Sequence, residues 1–407
     1  MACKWYAENA EYYLKPRSIP MGNLLFGNKG TSLQFDPIGV VGIISPWNYP
    51  FSIPFGEIIM GLMSGNAIIL KVASNVFFVG EAIEKIIEAG NLPEGLFTHL
   101  VCSGSKASKL MLDNKINKIF FTGSVPVGKT LMRDASESLT PLSLELGGND
   151  PAVVLKDANI EKATNCICWA GLQNAGQSCA GIERVYVQKE VYQEFKDLMI
   201  KKIKCLRHGP DDGTFKVDIG SLTTKKQLQT VEDQVKEALK MGAKIIAQSK
   251  PVGDVSHGLF YPATLMEGVT HEMSIMKEET FGPVIPLMKF DSIEEAIKLA
   301  NDSDLALTAS VYSEDSYKAQ KVANKLVAGM VTINDHLYTH GMSENRLNWN
   351  NFINIFVKAW GGPKLSGLGR THGELGLKEM CNAKAINWER LPFVQRSKLF
   401  SILKIQR

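Results

Sequence analysis

Lys118-Ile119-Phe120-Phe121-Thr122-Gly123-Ser124-Val125-Pro126-Val127-Gly128-Lys129-Thr130 runs from an apolar, β-rich segment through a glycine turn into a helical pattern. Gly123 to Thr130 satisfies G-x-x-x-x-G-K-[ST] in the strand-to-helix context that a phosphate loop requires. Unpaired backbone N–H groups and the positive end of the helix attract phosphate oxygens there. Two ligands suit it. One is a nucleoside triphosphate, which makes the chain a P-loop-type NTPase; the other is a dinucleotide pyrophosphate, although the spacing is not G-x-G-x-x-G. An NTPase also needs a strand ending in a metal-binding aspartate, and the candidates Asp157 and Asp291 follow Lys and Phe without a supporting pattern. On the loop alone the two readings are level.

Outward from this segment, short β-rich runs alternate with helical patterns, which predicts βαβ units and a largely parallel sheet, an α/β fold. The expected strands are 40–44, 67–70, 118–121, 152–155, 185–187 and 330–333. Helices are expected at 5–14, at 81–89 with Ile83, Ile86 and Ile87 on one face, and at 190–206 with a stripe of Val191, Phe195, Leu198, Met199 and Leu206. A further helix at 293–300 opens on the capping box Ser292 and Glu295. Residues 208–216 read as a surface loop, and no internal repeat is visible.

The chain has 407 residues, 45% of them hydrophobic and 21% charged, with a net charge of +3. That length suggests two or three domains and a large core, and the composition excludes a disordered or fibrous protein. No basic block calls for a nucleic acid or other polyanion. The seven cysteines are sparse and irregular, which favours a reducing compartment over a disulfide scaffold. The histidines lack metal-ligand spacing, so no metal is expected. Residues 1–15 carry Lys4, Glu8, Glu11 and Lys15 and hold no continuous apolar run of a signal peptide. Residues 38–56 have no charge but contain Pro46, Pro50 and Pro54, which read as a buried strand running into a proline-rich loop rather than an integral membrane span. The tail 393–407 mixes Leu399, Phe400 and Leu403 with Arg396, Lys398, Lys404 and Arg407, which reads as a frayed terminal helix.

Three more segments discriminate between the two readings of the loop. Pro46-Trp47-Asn48-Tyr49-Pro50 sets an amide donor in a rigid turn after a strand; Glu145-Leu146-Gly147-Gly148-Asn149 ends a strand with a carboxylate and a glycine pair. Gly176-Gln177-Ser178-Cys179-Ala180 presents a thiol on a turn of small residues. Thiol, carboxylate and amide are the parts for covalent acyl chemistry: a nucleophile, a base for water and an oxyanion donor. Cys3, Cys102, Cys166, Cys168, Cys205 and Cys381 belong to no such motif and are expected in the core.

Together these residues resemble the NAD(P)-dependent aldehyde dehydrogenase superfamily. The family's signatures appear in order: Pro46–Pro50, Lys71, Phe121–Ser124, Glu145–Gly148, Gly176–Cys179, Glu279-Thr280-Phe281-Gly282-Pro283, Gly361-Gly362 and Ser366–Arg370. The resemblance implies an aldehyde substrate, NAD or NADP as cofactor, and oxidation through a thiohemiacetal and a thioester. Cys179 would be the nucleophile, Asn48 with the Cys179 N–H the oxyanion donors, and Glu145 the base. Trp47, Lys71, Ser74, Gly123, Ser124, Val127, Leu146, Glu279 and Phe281 would bind the cofactor.

It further implies a Rossmann-like cofactor domain over 1–147, an α/β catalytic domain over 148–365 and a C-terminal segment over 366–407. A small oligomerisation arm, built from a hairpin near 31–41 and a strand at 381–389, implies a homodimer or homotetramer, and a cytoplasmic location is expected. The family has a longer stretch before Pro46, so a truncated form is expected, and a catalytically inactive relative acting as an interaction protein is the third functional reading. The asparagine-rich segment 345–359 looks like an insertion. Ser74 stands where NAD-preferring relatives carry glutamate, so NADP is expected to be usable. Trp47, Tyr49 and Trp169 hint at an apolar or aromatic aldehyde.

Overall fold

The computed structural model describes residues 2–20, 28–336 and 360–390. The segment 345–359 and the tail 393–407 lie outside the described residues. Two open sheets organise the chain.

The first has six strands, in spatial order Gly367–Leu368, Leu142–Glu145, Lys118–Thr122, Val40–Ser45, Ala67–Val72 and Phe97–His99. All neighbours pair in parallel except Gly367–Leu368, which lies antiparallel to Leu142–Glu145. From Val40–Ser45 the chain builds outward through Ala67–Val72 and Phe97–His99, then restarts on the other side with Lys118–Thr122. In such sheets ligands bind at the point where the order reverses, beyond the carboxyl ends of the strands. Asn48 follows one of those two strands, and Gly123 with Ser124 follows the other.

Alternation along the strands fills both faces. Val41 and Ile43 pack with Ile58, Met60, Ile83 and Trp5 under the helices Ser52–Met63, Phe77–Glu88 and Ala2–Leu14. Ile44, Ile119 and Phe121 point the other way, to Met111, Leu112 and Leu131 on the helices Gly104–Asp113 and Val125–Ser136. Each fully buried aliphatic side chain contributes roughly 1.5–3 kcal/mol.

The proline-rich reading of 38–56 needs one correction: the chain turns helical at Ser52. Pro54 falls in the first turn, where its missing N–H has no intrahelical partner to lose. Among the described residues no helix is long and apolar enough to cross a membrane.

The second sheet has seven strands in the order Lys244–Gln248, Thr264–Glu267, Val284–Phe290, Ile182–Gln188, Asp150–Val154, Thr308–Tyr312 and Met330–Ile333. Only Lys244–Gln248 is antiparallel. Its central strands are buried end to end and rich in valine and isoleucine, as parallel strands covered on both faces are. The helix at 293–301 opens on the expected cap: Ser292 accepts from the Glu295 N–H at 3.2 Å, and Glu295 reaches back to the Asp291 N–H at 2.8 Å.

A third, small sheet pairs Lys29–Pro37 with Arg17–Ser18 on one side and Cys381–Glu389 on the other, all antiparallel. Strand 381–389 is where it was expected, but residues 31–41 do not form a hairpin. Lys29–Pro37 ends, the chain turns at Gly39 with φ +123°, and Val40 enters the six-stranded sheet. The cysteines also need a correction. Cys3 and Cys205 are exposed rather than in the core, whereas Cys102, Cys166, Cys168 and Cys381 are half-buried.

Candidate active site

Cys179 sits where the chain enters the strand Ile182–Gln188, after the helix Ile160–Leu172. Between them Asn174, Ala175 and Gly176 all take left-handed backbone angles, φ +51°, +55° and +74°. The first two have side chains, and each such residue costs about 1–2 kcal/mol. The turn is held by its own amides: Gln177 donates to Asn174 O at 2.9 Å, and Asn174 donates to Gln177 O at 3.2 Å and to Asn48 O at 2.9 Å. The Gln177 carbonyl in the side chain accepts from Thr223 N at 2.8 Å.

Asn48 closes the clamp by donating its amide to Gln177 O at 3.3 Å, two residues before the thiol. Asn48 and Cys179 therefore come from different sheets and meet across the gap between them. The Asn48 Oδ1 is buried there without a hydrogen-bond partner among the described residues, and the Tyr49 hydroxyl lies beside that of Ser178. Burial pushes the Cys179 thiol up, and the neighbouring Glu279, Asp150 and Glu145 add to the shift.

Glu145 ends the strand Leu142–Glu145 and is 6% exposed. Among the described residues neither carboxylate oxygen has a hydrogen-bond partner. Its pKa is pushed well above the carboxylate range by burial first and then by Glu57, with Glu379 adding and Arg370 opposing. Gly361 shows how closely it is packed, since a Cβ there would stand 2.7 Å from Glu145 Oε1 and 3.2 Å from Arg370 Cδ. The glycine pair after Glu145 serves close approach rather than flexibility. A Cβ on Gly148 would meet Cys179 O at 2.2 Å, and one on Gly147 would meet Glu279 Oε2 at 2.4 Å.

The expected cofactor residues follow the strands Val40–Ser45, Ala67–Val72, Lys118–Thr122 and Leu142–Glu145 or lie on the Glu279–Pro283 turn. Lys71, at the end of the strand Ala67–Val72, is 5% exposed, yet its ammonium has no hydrogen bond or ion pair among the described residues. Ser124 precedes the helix Val125–Ser136 without capping it, which leaves the helix's first N–H groups open. Thr122 Oγ1 and Ser45 Oγ are buried without partners. A buried lone cation, open helix N–H groups and orphan hydroxyls fit a ligand of phosphates and ribose hydroxyls.

The remaining cofactor candidates divide into contact and support. Trp47 meets Phe281 edge to face, with ring centroids 5.6 Å apart. Glu279 accepts from the Gly148 N–H at 3.1 Å, and burial pushes its carboxyl up. Val127 is exposed in the first turn of its helix, and Ser74 is exposed at the start of the short turn Ser74–Val76. Gly123 turns with its N–H on Glu145 O at 3.0 Å. Leu146 is buried and fills the space under Gly128, where a Cβ would meet it at 2.7 Å.

The triphosphate reading of 123–130 is not what the fold builds. The helix begins at Val125, so Lys129 and Thr130 stand exposed a turn inside it, and the Thr130 hydroxyl donates back to Pro126 O at 3.1 Å. Only Gly123 and Ser124 remain as loop. Asp157 is taken up by the Ser313 hydroxyl and Lys318, and Asp291 by Lys189. Among the described residues no cluster of three or more His, Cys, Asp or Glu could hold a metal ion.

Sequence reasoning missed the supports. Glu183 is buried and accepts the Thr280 and Phe281 N–H groups at 2.9 and 2.7 Å, which fixes the Glu279–Pro283 turn; Phe281 takes φ +50° there. Gln227 holds the same turn by its carbonyls, donating to Thr280 O at 2.8 Å and Phe281 O at 3.1 Å. Arg184, 1% exposed, donates to Asn149 O at 2.8 Å and Ala300 O at 2.9 Å. The only signal was a Glu-Arg pair inside an apolar strand, which marks buried charge without saying whom it serves.

The chain belongs to the aldehyde dehydrogenase family, which it matches over residues 1–386. The family consists of NAD(P)-dependent oxidoreductases that oxidise aldehydes. The chain is 35% identical over 373 residues to 4,4'-diapolycopene aldehyde oxidase of a Methylomonas species, which covers 92% of this chain and 66% of the relative. It is 34% identical over 386 residues to a putative succinate-semialdehyde dehydrogenase [NADP(+)] 2 of Mycobacterium ulcerans, covering 93% and 71%. Among solved structures, a point mutant of betaine aldehyde dehydrogenase from Staphylococcus aureus in complex with NAD+ superposes with a TM-score of 0.85 at 29% identity, over 96% of this chain and 76% of that one. Lactaldehyde dehydrogenase from Escherichia coli gives 0.85 at 32%, over 95% and 77%. The chain thus spans about two thirds to three quarters of these relatives' lengths.

Proposed function

We propose that this chain oxidises an aldehyde to a carboxylic acid with NAD or NADP, through a thiohemiacetal and a thioester on Cys179. The observation that carries this reading is Glu145, a buried carboxylate with both oxygens unpartnered among the described residues, electrostatically in reach of the thiol. A carboxylate kept free of donors at such desolvation cost is a base held for a proton.

The Cys179 thiol gives up its proton to solvent. The sulfur then adds to the carbonyl carbon. The Asn48 amide and the Cys179 N–H receive the oxyanion, and the Asn174–Gln177 clamp keeps that amide aimed beside the sulfur. Lys71, Ser74, Ser124 and the Gly123 turn would hold phosphate and ribose, while Trp47, Phe281 and Glu279 would hold the nicotinamide end. Leu146 and Val127 would shape the wall between. When bound, the dinucleotide supplies the acceptor for the aldehyde hydride. Glu145 then takes a proton from water, the water oxygen attacks the thioester carbonyl, the C–S bond breaks, and acid and thiol are released.

On this reading 1–147 is the cofactor unit, 148–365 the catalytic unit and 366–407 a C-terminal segment. Tyr49, beside Ser178 and Cys179, supports an apolar or aromatic aldehyde. The exposed strand Cys381–Glu389 supports a homodimer or homotetramer. Seven free cysteines support a reducing, cytoplasmic location.

The test is nicotinamide reduction by the purified chain with a panel of aldehydes, together with mass mapping of an acyl adduct. The adduct is expected on Cys179, and Cys179→Ala is expected to lower turnover by about 10⁴-fold or more while dinucleotide binding persists. Turnover surviving in Cys179→Ala, or an adduct on another residue, would remove the reading.

A further inference from the structure

We infer that Cys102 is a thiol-modification site on the rim of the dinucleotide crevice, where a mixed disulfide with glutathione shuts the cofactor out. The inference rests on Lys71 lying in that crevice.

The placement follows from the sheet. Phe97–His99 runs parallel beside Ala67–Val72, and Leu100 N donates to Leu70 O at 2.8 Å. The loop 100–103 therefore leaves the carboxyl edge of the sheet alongside Lys71. The same loop turns into the helix Gly104–Asp113, whose N-cap Ser103 accepts from Lys106 N. Gly104 lies under the lysine, since a Cβ built on it would be 3.6 Å from Lys71 Nζ. Cys102, in the same loop two residues before Gly104, is half-buried and free.

Two features point to a ligand at this spot. Lys71 is 5% exposed and its ammonium has no hydrogen bond or ion pair among the described residues, so an anion or polar group is wanted within reach. A partly exposed thiol beside a cation and the positive end of a helix is the setting in which cysteines react. Glutathione answers both. Its sulfur bonds to Cys102, its carboxylates offer the counter-charge that Lys71 lacks, and its bulk takes the volume proposed for the ribose and phosphates. In the other half-buried cysteines outside the proposed active site, Cys166, Cys168 and Cys381, burial holds the thiol up and disfavours the reactive thiolate.

The step balances without a further reagent. The Cys102 thiol gives its proton to solvent, and the thiolate attacks one sulfur of oxidised glutathione. The S–S bond of glutathione breaks as the new one forms, and the departing half leaves as a thiolate that takes up a proton. The Cys102 sulfur is oxidised and the departing glutathione is reduced.

The experiment uses the full chain carrying Cys179→Ser, so that the proposed nucleophile does not compete, and reads NADP binding by calorimetry before and after oxidised glutathione. Peptide mapping is expected to place glutathione on Cys102. NADP binding is expected to weaken by about tenfold or more, to return with reductant, and to protect Cys102 when NADP is present first. In the Cys179→Ser, Cys102→Ser double variant, treatment is expected to leave the affinity where it was. An unmodified Cys102, a modified Cys102 with unchanged affinity, or an equal loss in the double variant would each overturn the inference. Absence of NADP binding before any treatment would instead strike the cofactor reading itself, and the inference would go with it.

Discussion

Glu183 and Glu145 are equally buried, at 4% and 6% exposure, and the fold treats them in opposite ways. Glu183, under the Glu279–Pro283 turn, spends both oxygens on backbone N–H groups. Glu145, across the gap between the sheets, spends neither. A buried carboxylate that accepts two N–H groups is a girder, and one that accepts none is available for chemistry. The contrast separates support from reaction more sharply than burial or a raised pKa does, because burial pushes both groups up.

The comparison breaks first at Glu145. Glu145→Gln is expected to lower turnover by roughly 10²–10⁴-fold while the acyl group still loads on Cys179, so intact mass should show the thioester accumulating. The parent's rate should be low while Glu145 keeps its proton and should rise as pH passes its raised pKa, above the ordinary carboxylate range; the variant should lose that limb. A variant that deacylates normally would make Glu145 another girder.

Glu183→Ala should behave the other way. It strands two buried N–H groups, so calorimetry should find the chain destabilised by about 1–3 kcal/mol, with weaker dinucleotide binding and no thioester accumulation. A third test installs a carboxylate where none stands. Ser74→Glu, three residues after Lys71, should disfavour a 2′-phosphate and move the NADP-to-NAD preference toward NAD by about tenfold, read from the two binding constants. An unchanged ratio would mean that residue 74 does not face the ribose.

The last effect is one of pH, at Glu57, which burial pushes up to about 8 from an ordinary 4.5. Between those values the folded chain keeps a proton that the unfolded chain has lost. Stability therefore falls as pH rises through that window and levels off above it. Glu57→Gln should melt with the parent near pH 5 and several degrees above it beyond pH 8. Because Glu57 also raises Glu145, the same variant should move the activity limb to lower pH.

The proposed reacting groups were legible because acyl chemistry needs particular residue types on short turns or strand ends, where Asn48, Cys179 and Glu145 stand. The strands 40–45, 118–122 and 330–333 were legible from apolar runs bounded by glycine and polar residues. The helix Ser52–Met63 was not, because three prolines look alike in a string and only the position of Pro54 within the first turn makes it harmless. The phosphate loop was ambiguous for a related reason: whether Lys129 belongs to the loop or to the helix depends on where the helix starts.

The chain's own order of residues determined the kind of chemistry, the likeness to a family and the alternation of strands and helices, since each rests on local spacing and local propensity. Tertiary structure alone decided that Glu183 spends both carboxylate oxygens on N–H groups while Glu145 spends neither among the described residues, that Asn48 is clamped by Asn174 and Gln177, and that the loop of Cys102 runs alongside Lys71. Those relations join segments of two sheets and several loops, and no local pattern encodes a meeting that depends on how whole layers pack.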